Sequence, residues 1–279
     1  MGMTAVNRIH KTFVYILLIV LAIICMLPFY WLVRSSLMTQ AAIFRLPPIW
    51  IPNPPRWQNY TTALTMLPFA TYFRNTMTIV FFTVTGTVIT SSICAFGFAR
   101  CRWPGRDIVF GILMSSMMLP FIVTLIPTFI GWRALGFLNT FVPLTVPAWF
   151  GGGMFNVFLL RQFYSTIPKE LDEAAVVDGA SYFKIYWRII LPLTRPALIV
   201  VGLFSFLHAW NDFLGPLVYL TNDRMFTLAL GLRQFQGLYN AQWHFMMAAS
   251  TVMLIPVIIV FLLGQKYFIE GIALTGLKG

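Results

Sequence analysis

The chain has 279 residues, of which 59% are hydrophobic and only 10% charged, with a net charge of +11 and a mean hydropathy of +0.80. A water-soluble globular domain carries about 25% charge, so this composition excludes one and points to the bilayer as solvent. With a hydrocarbon core roughly 30 Å thick and a helical rise near 1.5 Å per residue, about 20 consecutive apolar residues mark a crossing.

Runs of that kind fall at about residues 12–33, 76–99, 108–132, 141–160, 196–220 and 245–264, which predicts an all-α polytopic membrane protein with six transmembrane helices in a single domain, 1–279. Pro120, Pro127, Pro143, Pro147 and Pro256 lie inside these runs and predict kinks or breaks. The first run follows Arg8, His10 and Lys11 as a signal peptide would, but it is too long and lacks a small-residue cleavage site, so a retained helix is expected. With a cytoplasmic N-terminus, twelve of the 19 Lys and Arg residues fall on the inside and seven on the outside, which favours both termini in the cytoplasm. Membrane orientation and anionic lipid then account for the positive charge, and no nucleic-acid partner is implied.

Several chemistries are missing. His10, His208 and His244 lie in three separate segments, so neither a zinc site nor a Ser-His-Asp set is expected. Gly151-Gly152-Gly153 precedes Met154, and none of the five lysines follows a glycine, so there is no P-loop. Cys25, Cys94 and Cys101 have no metal-like spacing and read as bystanders. No catalysis, metal or cofactor is expected of this chain.

The acid is unevenly spread. Of eight Asp and Glu residues, Glu170, Asp172, Glu173 and Asp178 fall within PKELDEAAVVDGASYFKIYWRIILPL, residues 168–193. Pro168 suits a first helical turn, and the three leading acids sit at the positive end of the helix dipole. Leu171, Ala174, Ala175 and Asp178 recur on one narrow, mostly small-residue face that allows close approach of a partner. Gly179 stands where a helix end needs positive φ, and Ser181 can cap a second helix carrying a Phe183, Tyr186, Trp187, Ile190 stripe, stopped by Pro192. A hairpin resting on lipid would carry Lys and Arg on its polar face; three acids and one lysine favour a basic protein groove instead.

This stretch resembles the EAA loop of permease subunits of binding-protein-dependent ABC importers. The motif E-A-A-x-x-D-G-A, followed later by L-P, is matched by Glu173, Ala174, Ala175, Asp178, Gly179, Ala180, Leu191 and Pro192. The likeness extends over almost the whole chain and is closest to the maltose-permease-like carbohydrate branch, through LPPIWIPNPPRWQNY, ARCRWPGRD, HAWNDFLGPL and QKYFIEGIALTGLKG. The tail departs from the family, with Leu274-Thr275-Gly276-Leu277 in place of a run of small residues.

The resemblance implies a type I ABC importer permease fold in a bacterial or archaeal cytoplasmic membrane, with residues 166–192 as cytoplasmic coupling helices. The implied partners are a second related permease, two cytoplasmic ATPase subunits holding ATP and Mg, an extracytoplasmic solute-binding protein and membrane lipid. Glu173 and Gly179 would be the main ATPase contact and turn residues, with Phe183 beside them. The segment of about residues 221–244, with Arg233, Gln234, Phe235, Gln236, Tyr239 and Trp243, resembles a loop that enters the binding protein. The tail, 265–279, with Glu270, Gly271 and Lys278, resembles one that reaches the ATPase interface.

Counting from Pro196 places Asp212 about 24 Å along the fifth helix, toward the outer side. His208, Trp210, Asn211 and Asp212 offer a sugar hydrogen-bonding groups and a ring face, as do Trp149 and Asn156 around the triple glycine; interface anchoring and helix packing are the competing roles. A sugar or oligosaccharide is the expected cargo, with a polyol or glycerol phosphodiester as the alternative, since the loop identifies the engine and not the freight. Anionic freight would favour lining arginines, and the runs contain no clear mid-membrane Arg. A self-contained channel or enzyme with a regulatory loop is the competing class.

Overall fold

A computed structural model describes the backbone of residues 2–237 and 241–276 and the side chains of residues 10–237 and 241–267. The described residues form helices and connecting loops with no strand, apart from one antiparallel bridge between Gln236 and Ala241. Among the described residues, four helices are long and apolar enough to cross a bilayer: His10–Ser36, Phe69–Ala99, Val142–Thr166 and Trp243–Tyr267. The number rises to six if each of two bent pairs is one crossing: Arg106–Met118 with Phe121–Ala134, at 98°, and Tyr182–Leu193 with Arg195–Asn211, at 78°.

Each bend has a local cause. Pro120 pushes the residue before it out of the helical region, and Leu119 is extended at φ −77°, ψ 116°. Pro192 has no N–H for the carbonyl one turn back, and its ring crowds that carbonyl. The backbone responds by widening: Tyr186–Ile190 is a π-helix, in which the Leu191 N–H reaches the Tyr186 carbonyl, and the chain turns at Thr194. The 142–166 crossing is also interrupted, by a 3₁₀ turn at Val146–Trp149 and by Gly151, Gly152 and Gly153 at φ 90°, 64° and 85°. The last helix continues to Gly276, past the 264 boundary read from the sequence, because nothing between Gly264 and Leu274 breaks it.

The chain divides into two compact units. One comprises residues 1–69 and 232–255. Here the first helix exposes its apolar side chains along most of its length, as expected for contact with lipid tails. Arg34 at its end is buried and donates from Nε to the Ile49 carbonyl at 2.6 Å, with its guanidinium 4.2 Å from the centre of the Trp31 ring. Asn59 donates to the Ser36 and Met38 carbonyls at 2.7 and 2.8 Å, closing the chain end left open after the helix.

The other unit comprises residues 70–231 and 256–279. Its spine is the Phe69–Ala99 helix, whose Ala95 and Phe96 pack with Val157, Leu160, Tyr164, Ile185, Tyr186, Ile190 and Val201. Since lipid tails are as apolar as these side chains, close packing and satisfied polar groups hold such helices together rather than escape from water. Both are present. The Ser92 hydroxyl lies 2.7 Å from the Tyr164 hydroxyl and 2.8 Å from that of Tyr186, so one polar knot joins three segments. Gly152 lies so close to the spine that an added Cβ would come within 2.5 Å of the Thr87 carbonyl oxygen.

Candidate coupling surface and translocation cavity

The acidic stretch begins with a helix, Glu170–Val177, carrying Glu170, Asp172 and Glu173 in its first turn. Its end is a Schellman closure: the Ala180 N–H donates to the Ala175 carbonyl at 2.8 Å, and the Gly179 N–H to the Val176 carbonyl at 2.9 Å. That closure needs a left-handed residue, and Gly179 stands at φ 75° with nothing within 4 Å of where a Cβ would be. Ser181 caps the next helix, its side chain accepting from the Lys184 N–H at 3.4 Å. The result is helix, tight turn, helix.

The surface of this element is mixed. Glu173, Ala174, Asp178 and Gly179 are exposed, Val177 is 87% exposed and Phe183 is 73% exposed, whereas Ala175 and Ala180 lean on the core beneath. The aromatic stripe expected over Phe183, Tyr186, Trp187 and Ile190 does not form. Tyr186 and Ile190 are buried, while Phe183 and Trp187 stack on each other on the outside, ring centres 6.3 Å apart. The cause is the π turn, which shifts the register of positions that an α-helical period would align. Phe183, Trp187, Leu191 and Pro192 line an apolar cleft of about 530 Å³ with Val88 and Leu198.

Sequence reading missed the group that holds this element in place. Arg100, just past the end of the spine helix, is 3% exposed in its side chain and forms an ion pair with Asp172 at 3.0 Å. Its Nη2 donates to the Tyr164 and Ile167 carbonyls at 2.6 and 2.7 Å, at the end of the Met154–Thr166 helix, where the Tyr164 carbonyl also accepts from the Ile167 N–H at 3.3 Å. A single guanidinium thus ties three segments together, a task suited to its fork of donors. Asp172, which reads in sequence as part of an outward acidic run, has a side chain only 20% exposed. Burial first, and the Asp172 carboxylate second, push the neighbouring Cys101 thiol above its usual pKa.

A cavity of about 800 Å³ opens between the spine helix, the Phe121–Ala134 half-helix, the triple-glycine break and the Arg195–Asn211 helix. Of the pathway candidates, Asn156, His208 and Asp212 line it, whereas Trp149, Trp210 and Asn211 do not. Trp210 is 2% exposed and stacks on Phe206 with ring centres 5.5 Å apart. Trp149 packs where a Cβ on Gly86 would strike its indole, and Asn211 donates back to the Leu207 carbonyl at 2.8 Å. The cavity also contains hydroxyls that the sequence reading passed over: Thr83, Thr87, Thr124, Thr128 and Ser205. A helical-period signal was available, because Ser205, His208, Ala209 and Asp212 recur at i, i+3, i+4 and i+7. Asp212 Oδ1 accepts from the Gly215 N–H at 3.0 Å, so its carboxylate also organises the turn after the helix.

In the segment of about residues 221–244, Arg233, Gln234 and Phe235 form a 3₁₀ turn, with Phe235 buried rather than presented. Gln236 pairs with Ala241, and its Nε2 lies 3.4 Å from the Met246 sulfur. Gln40 bonds the Ala241 carbonyl and lies 3.0 Å from His244 Nδ1, and Phe44 meets Trp243 edge-on, so the base of this loop is pinned. Tyr239 and Lys278 lie outside the described residues. Glu270 and Gly271 continue the backbone of the last helix, and the side chain of Glu270 lies outside the described set. No group of three or more His, Cys, Asp or Glu suited to a metal ion occurs among the described residues.

Residues 88–273 match the family described as binding-protein-dependent transport system inner membrane component. The trehalose/maltose transport system permease protein MalG of Thermococcus litoralis is 33% identical over 264 residues, covering 94% of each chain. The sn-glycerol-3-phosphate transport system permease protein UgpE of Yersinia pestis is 30% identical over 268 residues, covering 93% of this chain and 95% of its own. A chain of a bacterial ABC transporter involved in import of the acidic polysaccharide alginate superposes with a TM-score of 0.80 at 26% identity, covering 94% of this chain and 97% of that one.

Proposed function

The chain belongs to the family of binding-protein-dependent transport system inner membrane components and is a permease subunit of an ABC importer; from that premise we propose that it moves a neutral sugar or oligosaccharide and is driven through residues 168–193. The driving ATP is bound and hydrolysed, with Mg, by two cytoplasmic partner subunits. A second permease completes the pathway, and an extracytoplasmic binding protein delivers the solute. In this reading both termini are cytoplasmic.

The observation that carries the coupling role is the exposed helix–turn–helix itself. It presents Glu173, Val177, Gly179 and Phe183 on a base fixed by Arg100 and by the packing of Ala175 and Ala180. A surface that transmits motion must be both open to its partner and stiff toward its own protein, and this arrangement supplies both. Closure of the ATPase dimer would draw this element toward its counterpart on the second permease, switching the pathway between inward- and outward-facing states. The loop pinned by Gln40 suits entry into the binding protein, with Arg233, Gln234, Gln236, Tyr239 and Trp243 as its contacts. Glu270, Gly271 and Lys278 would reach the ATPase interface.

The cargo reading rests on the cavity. Its lining mixes threonine hydroxyls, Asn156, His208 and Asp212 with the faces of Phe121, Trp132, Phe155, Phe204 and Tyr219, and includes no Lys or Arg. Hydroxyl and amide groups answer sugar hydroxyls, aromatic faces cover sugar rings, and an anion would meet no opposite charge. The glycerol-phosphate relative motivates the second reading, an anionic polyol ester as cargo. Reconstituting the complex with its binding protein and measuring stimulated ATP hydrolysis and uptake across neutral sugars, polyols and glycerol phosphodiesters separates the two. Neutral saccharides are expected to stimulate both activities. Uptake of the phosphodiester alone would overturn the cargo assignment, and solute-independent hydrolysis with no uptake would overturn the coupling.

A further inference from the structure

We infer that a binding site for the phosphate of an anionic phospholipid lies beside the coupling element, built from Arg102, Arg106 and Lys169. These three cations line two adjoining clefts, of about 340 and 410 Å³, between the end of the spine helix and the start of the Glu170–Val177 helix. Arg100 also lines the first cleft, and its Nε, although buried, has no hydrogen-bond partner. Arg106 is partly committed: it pairs with Asp107 at 3.1 Å and donates to the Cys101 carbonyl at 3.3 Å. Arg102 and Lys169 are exposed and make no ion pair among the described residues.

The surroundings select a lipid as the source of the phosphate. Trp103 lines the second cleft and donates its indole N–H to the Gly97 carbonyl, a partly exposed ring of the kind that sits at headgroup level. Ile108, which also lines that cleft, and Ile112 follow on the next helix with exposed apolar side chains. Headgroup cations, an interfacial indole and an acyl-facing helix therefore succeed one another along a short length of chain. Anionic headgroups are drawn to such basic sites at the cytoplasmic membrane surface. This assignment rests on the cytoplasmic placement of the coupling element given above.

The site also bears on coupling. Lys169 immediately precedes the Glu170–Val177 helix, and its carbonyl accepts from the Asp172 and Glu173 N–H groups at 2.9 and 3.1 Å. A phosphate held by Lys169 and Arg102 fixes the entry of that helix to the bilayer, opposite the end closed by Gly179. The Arg100–Asp172 pair then holds its inner face. Lipid and guanidinium restrain the same helix from two directions.

The test titrates the detergent-solubilised complex with phosphatidylglycerol or phosphatidylcholine and counts retained lipid by native mass spectrometry, for the wild type and for R102Q/K169Q. Both substituted side chains are exposed and make no ion pair, so the variant leaves the fold intact. With each surface cation contributing about fivefold to retention, their joint loss is expected to weaken phosphatidylglycerol binding roughly 25-fold and to leave phosphatidylcholine unchanged. Equal retention of the two lipids by the wild type, or an unchanged preference in the variant, overturns the site. Displacement of the lipid by millimolar inorganic phosphate assigns the cations to a soluble anion and overturns the lipid assignment. Wild-type uptake in neutral and anionic vesicles, measured in parallel, keeps this test separate from the coupling proposal: activity in both with no lipid preference refutes the lipid site alone, whereas no coupled uptake in either refutes the coupling.

Discussion

Replacing Arg100 with alanine is expected to abolish substrate uptake while the chain still inserts in the membrane. The substitution removes the 3.0 Å partner of Asp172 and leaves the Tyr164 and Ile167 carbonyls without the donor they share. Removing one member of a largely buried ion pair costs about 3 kcal/mol, because the other charge stays behind uncompensated. That energy is concentrated where the coupling helix meets the spine, so the helix loses its fixed position before the crossings lose theirs. Lysine is expected to rescue poorly, since a point charge cannot address a carboxylate and two carbonyls together. Uptake into proteoliposomes reads the functional loss, and alkylation of Cys101, slowed in the wild type by burial and by Asp172, should accelerate as the contact opens.

Gly179→Asp is expected to separate ATP hydrolysis from transport with little effect on stability. Nothing lies within 4 Å of the added Cβ, so the fold meets only the backbone cost of a non-glycine residue at φ 75°, about 1 kcal/mol. The new carboxylate instead projects from the apex of the turn into whatever docks there. Glu173→Lys is expected to act in the same direction by reversing the charge of an exposed contact on the adjoining helix. Both variants should insert normally and retain ATPase subunits weakly or unproductively, lowering uptake at least tenfold if docking loses about 1.4 kcal/mol. Full uptake in both would remove the coupling role from this loop. Gly179→Ala, which adds the strain without the charge, should fall between wild type and Asp.

The helix–turn–helix that follows Pro168 could be read from the sequence because its signals are local. Gly179 after an acidic-start helix, and Ser181 as a cap, specify a turn without reference to the rest of the chain. Arg100 could not be read in the same way: its carboxylate partner lies 72 residues downstream, and in sequence it counts only as one more inside charge. The stripe over Phe183–Ile190 misled because it assumed a constant helical period through Tyr186–Ile190, where the backbone widens into a π turn ahead of Pro192. In the cavity, residue type was legible and orientation was not. Trp210 has the ring a sugar would use but faces Phe73 and Phe206, while His208 and Asp212, one turn apart, share the face that opens inward. Pro120 foretold a break, though not its 98° angle, whereas Pro127 and Pro256 lie within continuous helices.

The claim that residues 168–193 grip a cytoplasmic ATPase is tested most directly by site-specific cross-linking in native membranes. With Cys25, Cys94 and Cys101 replaced by alanine, Val177→Cys places a thiol at a position 87% exposed on the coupling helix, and Ile51→Cys supplies an exposed control on the loop after the first helix, which the proposed topology puts outside. A short thiol-to-amine reagent is expected to join Val177→Cys to an ATPase subunit, with the yield changing when nucleotide is added, and to leave Ile51→Cys unlinked to it. Absence of any ATPase adduct at Val177→Cys, or an equal adduct at Ile51→Cys, would contradict the account.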